Sequence, residues 1–298
     1  MSGMFPSRYK LVRKAGDGTS AEVYFCLTDD IINAAKAAGP LTTDSPGFED
    51  RLTTLRKSLV AIKIIREDLN REEDSNSEMS GEQYIEDDPI IKEYNLLKLI
   101  HSSTLPGAAT AKKHFLSPIG HGMRGPRGRD SWLAVPAVEP SVSLGDLLKV
   151  SKENDLKLPT SLAFHVFASL TPSLLFLREQ LRWTPNDVKD FNVLCKFTSE
   201  SPLGLPECVF IDMGMALELD QQANTSDCVD LLQLVKDFAD RTVMSTDKDW
   251  IAFRGMLDDN ADYSLREKTA SILGNIWTTW KSVAEEGRRK GTEDDKVV

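Results

Sequence analysis

The sequence is poor in the residues that build metal clusters and disulfide frameworks. Of 298 residues, four are cysteine and four histidine. Cys26, Cys195, Cys208 and Cys228 form no C-x-x-C pair, and the histidines are scattered. A zinc site or a disulfide scaffold is not expected, and a reducing compartment, cytoplasmic or nuclear, fits best. Also missing is any run of about 18 apolar residues that could cross a membrane. The start, Met1-Ser-Gly-Met-Phe-Pro-Ser-Arg8, lacks the apolar centre of a secretory signal. Excess positive charge is absent too: a net charge of −10 argues against nucleic acid or an anionic membrane as partner. A local basic cleft for a nucleotide stays compatible with that balance. No internal repeat is visible.

What remains is the composition of a soluble globular protein, with 41% apolar and 28% charged residues. The length suits one or two domains. Tyr9–Ala15 alternates roughly, then Gly16-Asp17-Gly18-Thr19-Ser20-Ala21-Glu22-Val23 turns into Tyr24–Leu27. This reads as strand, glycine turn, strand. Such a turn serves either as a plain hairpin or as a lid whose backbone approaches a phosphate. Residues 29–57 carry short helical patterns broken by Gly39-Pro40 and Ser45-Pro46-Gly47, an insertion between strands.

Ser58-Leu-Val-Ala-Ile-Lys63-Ile-Ile65 is a β-branched run interrupted by one lysine. That lysine is either paired in the interior or reaches water from an edge. The acidic segment 71–88 reads as a solvated loop. After Pro89, residues Ile90, Glu93, Tyr94, Leu97 and His101 follow helical spacing, which sets Glu93 beside the apolar stripe as a partner for Lys63.

Two further β-type runs are expected at Phe115–Gly120 and Ser131–Val138, separated by a Gly/Arg-rich turn from 122 to 129, with helical character from Ser143. Phe167, Leu170, Leu174, Leu177 and Leu181 step by three and four, the stripe of one buried helix in which Pro172 introduces a kink. There follows Trp183-Thr-Pro-Asn186-Asp187-Val-Lys189-Asp-Phe-Asn192-Val-Leu194, and after a loop Val209-Phe-Ile-Asp212-Met213-Gly214. Helical patterns resume at Asp227–Phe238 and Trp250–Leu257. A last helix is expected from the capping box Ser264-Leu-Arg-Glu267, its Trp277 and Trp280 reading as core.

Taken in order, these parts resemble the eukaryotic protein-kinase family from about Tyr9 to about Phe238. They are the glycine turn, the Val60-Ala-Ile-Lys63 strand, the helix bearing Glu93, the Asp187-x-Lys189-x-x-Asn192 loop and Asp212-Met213-Gly214. Glu93–His101 looks like the family's helix C, and Leu133–Val138 like its hinge. The resemblance implies an α+β, bilobal protein-kinase-like fold. Its N-lobe, residues 1–138, would be an antiparallel sheet with helix C and insertions at about 29–57 and 66–89. A mainly helical, reduced C-lobe would span 139–284, and 285–298 would be a disordered tail.

By the same resemblance Lys63 would hold the α- and β-phosphates of ATP and pair with Glu93. Asp187 would take or orient the acceptor's proton, Lys189 would sit near the γ-phosphate, and Asn192 and Asp212 would bind Mg²⁺. Gly16, Gly18 and Ala21 would form the lid. Val23, Ala61 and Leu194 would enclose the adenine, with Val135 as gatekeeper and Pro136 to Val138 reading the base edge. Pro185-Asn186 replaces the usual His-Arg, and only residues 215 to 226 separate Gly214 from Asp227, with no Ala-Pro-Glu. The implied activity is that of an atypical Ser/Thr protein kinase independent of loop phosphorylation. The alternatives are a small-molecule kinase of the aminoglycoside or choline kinase type, or a pseudokinase that binds partners.

Overall fold

The structure, a computed structural model, describes residues 6–18, 21–65, 88–122, 131–197, 204–219, 226–243 and 245–294. Thr19 and Ser20, the acidic segment up to 87, the turn beyond Gly122 up to Arg129, and the end from 295 lie outside them. The fold is α+β, with nine α-helices and three antiparallel sheets among the described residues. Two compact units divide the chain, the first Met1–Lys98 with Ser117–Glu139, the second Leu99–Leu116 with Pro140–Val298. Residues 99–116 thus belong with the second unit, where the sequence suggested a single boundary at 138.

The first unit is built on a five-stranded sheet of order β1-β2-β3-β5-β4. Its strands are β1 (Tyr9–Asp17), β2 (Ala21–Thr28), β3 (Val60–Ile65), β4 (Gly120–Gly122) and β5 (Trp132–Pro136). Because side chains alternate along a strand, cross-strand partners share a face. One face gathers Tyr9, Cys26, Val60, Ile62, Ile64, Trp132 and Ala134 into a buried core, with Tyr24 against it. The insertion between β2 and β3 forms two helices, α1 (Asp29–Ala37) and α2 (Phe48–Lys57), neither with a buried residue. Helix α3 (Pro89–Ser102) begins where Asp88 caps it, its Oδ1 accepting from Ile90 N at 2.7 Å. The expected strand from Phe115 to Gly120 is absent. Phe115 makes an isolated bridge to Phe210, and pairing resumes only at β4. Pro118 has no N–H to give a ladder in that stretch.

The second unit is mainly helical: α4 (Ala108–Ala111), α5 (Leu144–Glu153), α6 (Thr160–Leu175), α7 (Ser226–Ala239), α8 (Lys248–Asn260) and α9 (Arg266–Asp294). Helix α6 is apolar nearly all round and packs against both α7 and α9. With its continuation to Leu181 it is long and apolar enough to cross a membrane, yet 78% of that stretch is buried inside the protein. Rather than continuing as one α-helix, the chain widens to a π-helix from Phe176 to Leu181, just after Pro172. Arg182, at φ 62, ends it in the left-handed region. Short strands β6 (Ser141–Ser143), β8 (Val193–Lys196) and β9 (Glu207–Phe210) form a sheet in the order β6-β8-β9. β7 (Trp183–Thr184) pairs with β10 (Leu217–Glu218).

Three expectations for the C-terminal end are corrected. Ser264 is not the helix cap, since it sits in a 3₁₀ turn where Asp262 Oδ1 accepts from Ser264 N at 2.8 Å. The tail from 285 is helical to Asp294, laced by Glu285–Arg288 and Glu286–Arg289 pairs. The tryptophans are half-buried at the edge of the core rather than inside it: Trp277 lies 5.7 Å from Phe167 and Trp280 5.8 Å from Phe253, centroid to centroid.

Candidate functional site

The sequence-predicted residues fall into two groups, one in each unit. In the first unit the register sorts them. Val23 stands opposite Lys63, and Ala61 opposite Val135. All four therefore project from the face opposite the Ile62 core. On that face Lys63 Nζ donates to Glu93 Oε2 at 2.7 Å, so the partnership expected from helical spacing is present. Side-chain exposures of 15% for Lys63 and 4% for Glu93 rule out the edge-lysine alternative. Burying such a pair gives little net stability against a well-packed apolar pair.

At the glycine turn Gly16 pairs with Val23. Gly18 N–H donates to Ala21 O at 2.9 Å, closing the turn on itself, and a Cβ on Gly18 would meet that same carbonyl at 3.2 Å. An ion network braces the hairpin: Lys14 Nζ reaches Asp17 Oδ2 at 3.0 Å and Glu22 Oε1 at 2.7 Å, and the Tyr24 hydroxyl donates to Glu22. The Lys14 and Tyr24 bonds hold the Glu22 carboxyl below its ordinary range. Further along the same unit Val135 and Val138 are buried and Pro136 is exposed. The Ala137 N–H is taken by Leu59 O at 2.9 Å.

In the second unit, β7 and the residues after it deliver Asp187, Lys189 and Asn192. Lys189 Nζ donates to Asp187 Oδ2 at 2.6 Å, and Asn192 Nδ2 donates to the same oxygen at 2.8 Å and to Asp187 O at 3.0 Å. With its nitrogen so engaged, the Asn192 amide has its oxygen to offer a cation. Ile211 N–H donates to Asn192 O at 2.9 Å, which sets Asp212 beside Asn192 at the ends of β9 and β8. Leu194 follows on β8, opposite Val209 and Ser143. Asp212 has φ 64 and Asn186 φ 59, left-handed conformations that side chains other than glycine adopt at a cost of about 1–3 kcal/mol. With Arg182, three of the four such residues among those described flank or belong to this site.

Spacing did not reveal what holds the loop. Asp227, fully buried at the start of α7, accepts through Oδ2 from the Thr184 hydroxyl and from Asn186 N at 2.9 Å. Burial pushes its carboxyl up, and the two hydrogen bonds oppose that shift. Asp230, one turn on, is also pushed up, first by burial; Tyr263 and Ser226 hydrogen-bond to it, and the charge of Asp187 adds to the rise. A usable signal was present: an acid opening an otherwise apolar helical run, Asp227-Cys-Val-Asp230-Leu-Leu.

No family model matches the chain, and no curated protein matches it. The chemistry therefore rests on the donor groups. Among the described residues no three His, Cys, Asp or Glu side chains gather as a metal cage. Magnesium does not require one, since it is commonly held by one or two carboxylates plus waters and phosphate oxygens. The Asn192 amide and the Asp212 carboxylate are hard oxygen donors of that kind and fit the ion.

Proposed function

We propose that the chain is an ATP- and Mg²⁺-dependent phosphotransferase of protein-kinase-like fold, an atypical Ser/Thr kinase that moves the γ-phosphate to a protein hydroxyl. The buried Lys63–Glu93 pair carries this reading, because such a pair adds little to stability while fixing an ammonium where a phosphate could use it. Lys63 Nζ binds the α- and β-phosphates, and Glu93 orients it. Asp187 accepts the hydroxyl proton on a carboxylate oxygen. Lys189 neutralises charge on the transferring group. Asn192 and Asp212 hold Mg²⁺, which when bound neutralises charge on the β- and γ-oxygens. Val23, Ala61, Val135 and Leu194 contact the adenine, and of the 136–138 stretch the Pro136 carbonyl is the acceptor for the base edge. Lys189 favours a protein acceptor over a small molecule, since kinases of the aminoglycoside and choline type usually lack that lysine.

The test offers γ-labelled ATP with Mg²⁺ and purified chain to a cell extract and counts protein and small-molecule fractions separately. Label is expected in protein, lost with EDTA and lost in Asp212→Asn, while that variant melts within about 3 °C of the parent. Label confined to small molecules would overturn the acceptor assignment. Equal transfer by Asp212→Asn would overturn the metal role. Phosphatase treatment beforehand is expected to leave transfer unchanged, because Asn186 stands where an arginine would read a phosphorylated loop.

A further inference from the structure

All four cysteines are free and buried, and two of them face each other: Cys195 on β8 is the register partner of Cys208 on β9. The backbone shows which kind of pair they make. Cys208 O accepts from His114 Nδ1 at 2.7 Å, on the side of β9 turned away from β8, and Phe210, in the same phase, bridges outward to Phe115. Ile211, out of phase by one, turns inward and donates to Asn192 O. On β8, Phe197 shares the phase of Cys195 and donates to Pro140 O, beside β6. The backbone groups of both cysteines thus point away from each other, which defines a non-hydrogen-bonded antiparallel pair. Such pairs bring Cα atoms to about 4.5 Å, inside the 4.4–6.8 Å range that a disulfide spans.

From this geometry we infer that Cys195 and Cys208 are a redox pair, closed by peroxide to a disulfide that distorts the strand pair carrying Asn192 and Asp212. A cross-strand pair holds its Cβ atoms about 4.5–5.5 Å apart, whereas a disulfide holds them at about 3.8 Å. Closing the bond draws β8 and β9 together on one face by roughly 1 Å and twists their ends. Asn192 directly precedes β8, and Asp212 follows β9 by two residues. A displacement approaching that size at reacting groups can lower a rate by up to about 100-fold.

The chemistry balances. One cysteine sulfur attacks a peroxide oxygen, the O–O bond breaks, and sulfenic acid and one water form. The second thiol then displaces the sulfenic oxygen as a second water, giving the S–S bond and two waters from two thiols and one H₂O₂. The neighbouring Cys195 thiol and, after it, burial push the Cys208 thiol well up, so thiolate is scarce at neutral pH and oxidation proceeds slowly, faster as pH rises.

The test treats the full chain with H₂O₂, unfolds it in guanidinium with N-ethylmaleimide, and maps peptides by mass. Two alkylated cysteines, Cys26 and Cys228, are expected, with a linked peptide containing Cys195 and Cys208 and a mass lower by two hydrogens. Four alkylated cysteines, or a link through Cys26 or Cys228, would overturn the pair. The effect on catalysis rests on the proposed phosphotransfer and is read separately: at least a tenfold loss of transfer on oxidation, recovered with dithiothreitol. That loss is expected to be absent in both Cys195→Ala and Cys208→Ala. A mapped disulfide with unchanged transfer would overturn the coupling. The mass measurement decides the bond whether or not the chain transfers phosphate, and it needs no variant to fold.

Discussion

At Lys63 and Glu93 the proposed function and the stability of the fold make different demands. Replacing Lys63 by Met removes the ammonium 2.7 Å from a carboxylate only 4% exposed, which is expected to destabilise by about 3–5 kcal/mol. The double variant Lys63→Met, Glu93→Leu should return the urea midpoint to the parent value or above it while binding no nucleotide. A double variant as unstable as the single one would show that the pair is structural. Asp227→Ala strips a carboxylate from two buried donors, and a loss of about 2–4 kcal/mol in the same titration is expected. These two sites differ in how far they could be read from sequence. Glu93 was legible because helical periodicity put it on the apolar stripe beside a lysine that needed a partner. Asp227 was only half legible: an acid opening an apolar helical run marks it as buried, but its partners Thr184 and Asn186 lie more than forty positions upstream and the sequence does not name them.

At the scale of elements, the strands around the glycine turn, the β-branched run at Val60–Ile65 and the long apolar helix were readable, and the errors came where a local feature was overridden. The end from 285 is expected to be a disordered tail, yet α9 continues through it to Asp294 and sets Gly287 against the body of the unit. A Cβ on Gly287 would lie 2.3 Å from the Phe164 ring. Gly287→Val is therefore expected to cost about 1–3 kcal/mol through overpacking, seen as a lower melting temperature. An unchanged melting temperature would mean that this turn does not pack. The π-helix before Arg182 was likewise invisible, since Pro172 announces a disturbance but not the form the chain takes to absorb it.

Over the whole molecule, buried histidines and carboxyls give stability a dependence on pH. His165 donates to Pro206 O at 2.6 Å, and burial lowers its pKa to about 4, with that hydrogen bond opposing. In the unfolded chain it takes up its proton near 6.5. Between those values the unfolded state binds more protons, so stability falls as pH drops from 6.5 towards 4, by up to about 3 kcal/mol. His114, lowered also by burial, acts in the same direction. Asp227 and Asp230 act oppositely: their raised carboxyls keep protons in the fold, so they subtract stability as pH climbs past about 4. Melting curves of His165→Gln between pH 4 and 7 should have a shallower acid limb than those of the parent. Parallel curves would remove His165 from the account.

The strand order of the first sheet also has a consequence during synthesis. β3 lies between β2 and β5, but 66 residues (66 to 131) separate the end of β3 from the start of β5. At about 5–20 residues per second, a ribosome needs roughly 3 to 13 s to make the missing neighbour. Throughout that interval the nascent chain carries Val60-Ala-Ile-Lys63-Ile-Ile65 as an uncovered edge of high β-propensity, the kind of segment that recruits other chains. Lys63 is its one charge. The residue assigned to phosphate in the finished protein is therefore also placed to discourage aggregation while that protein is being made.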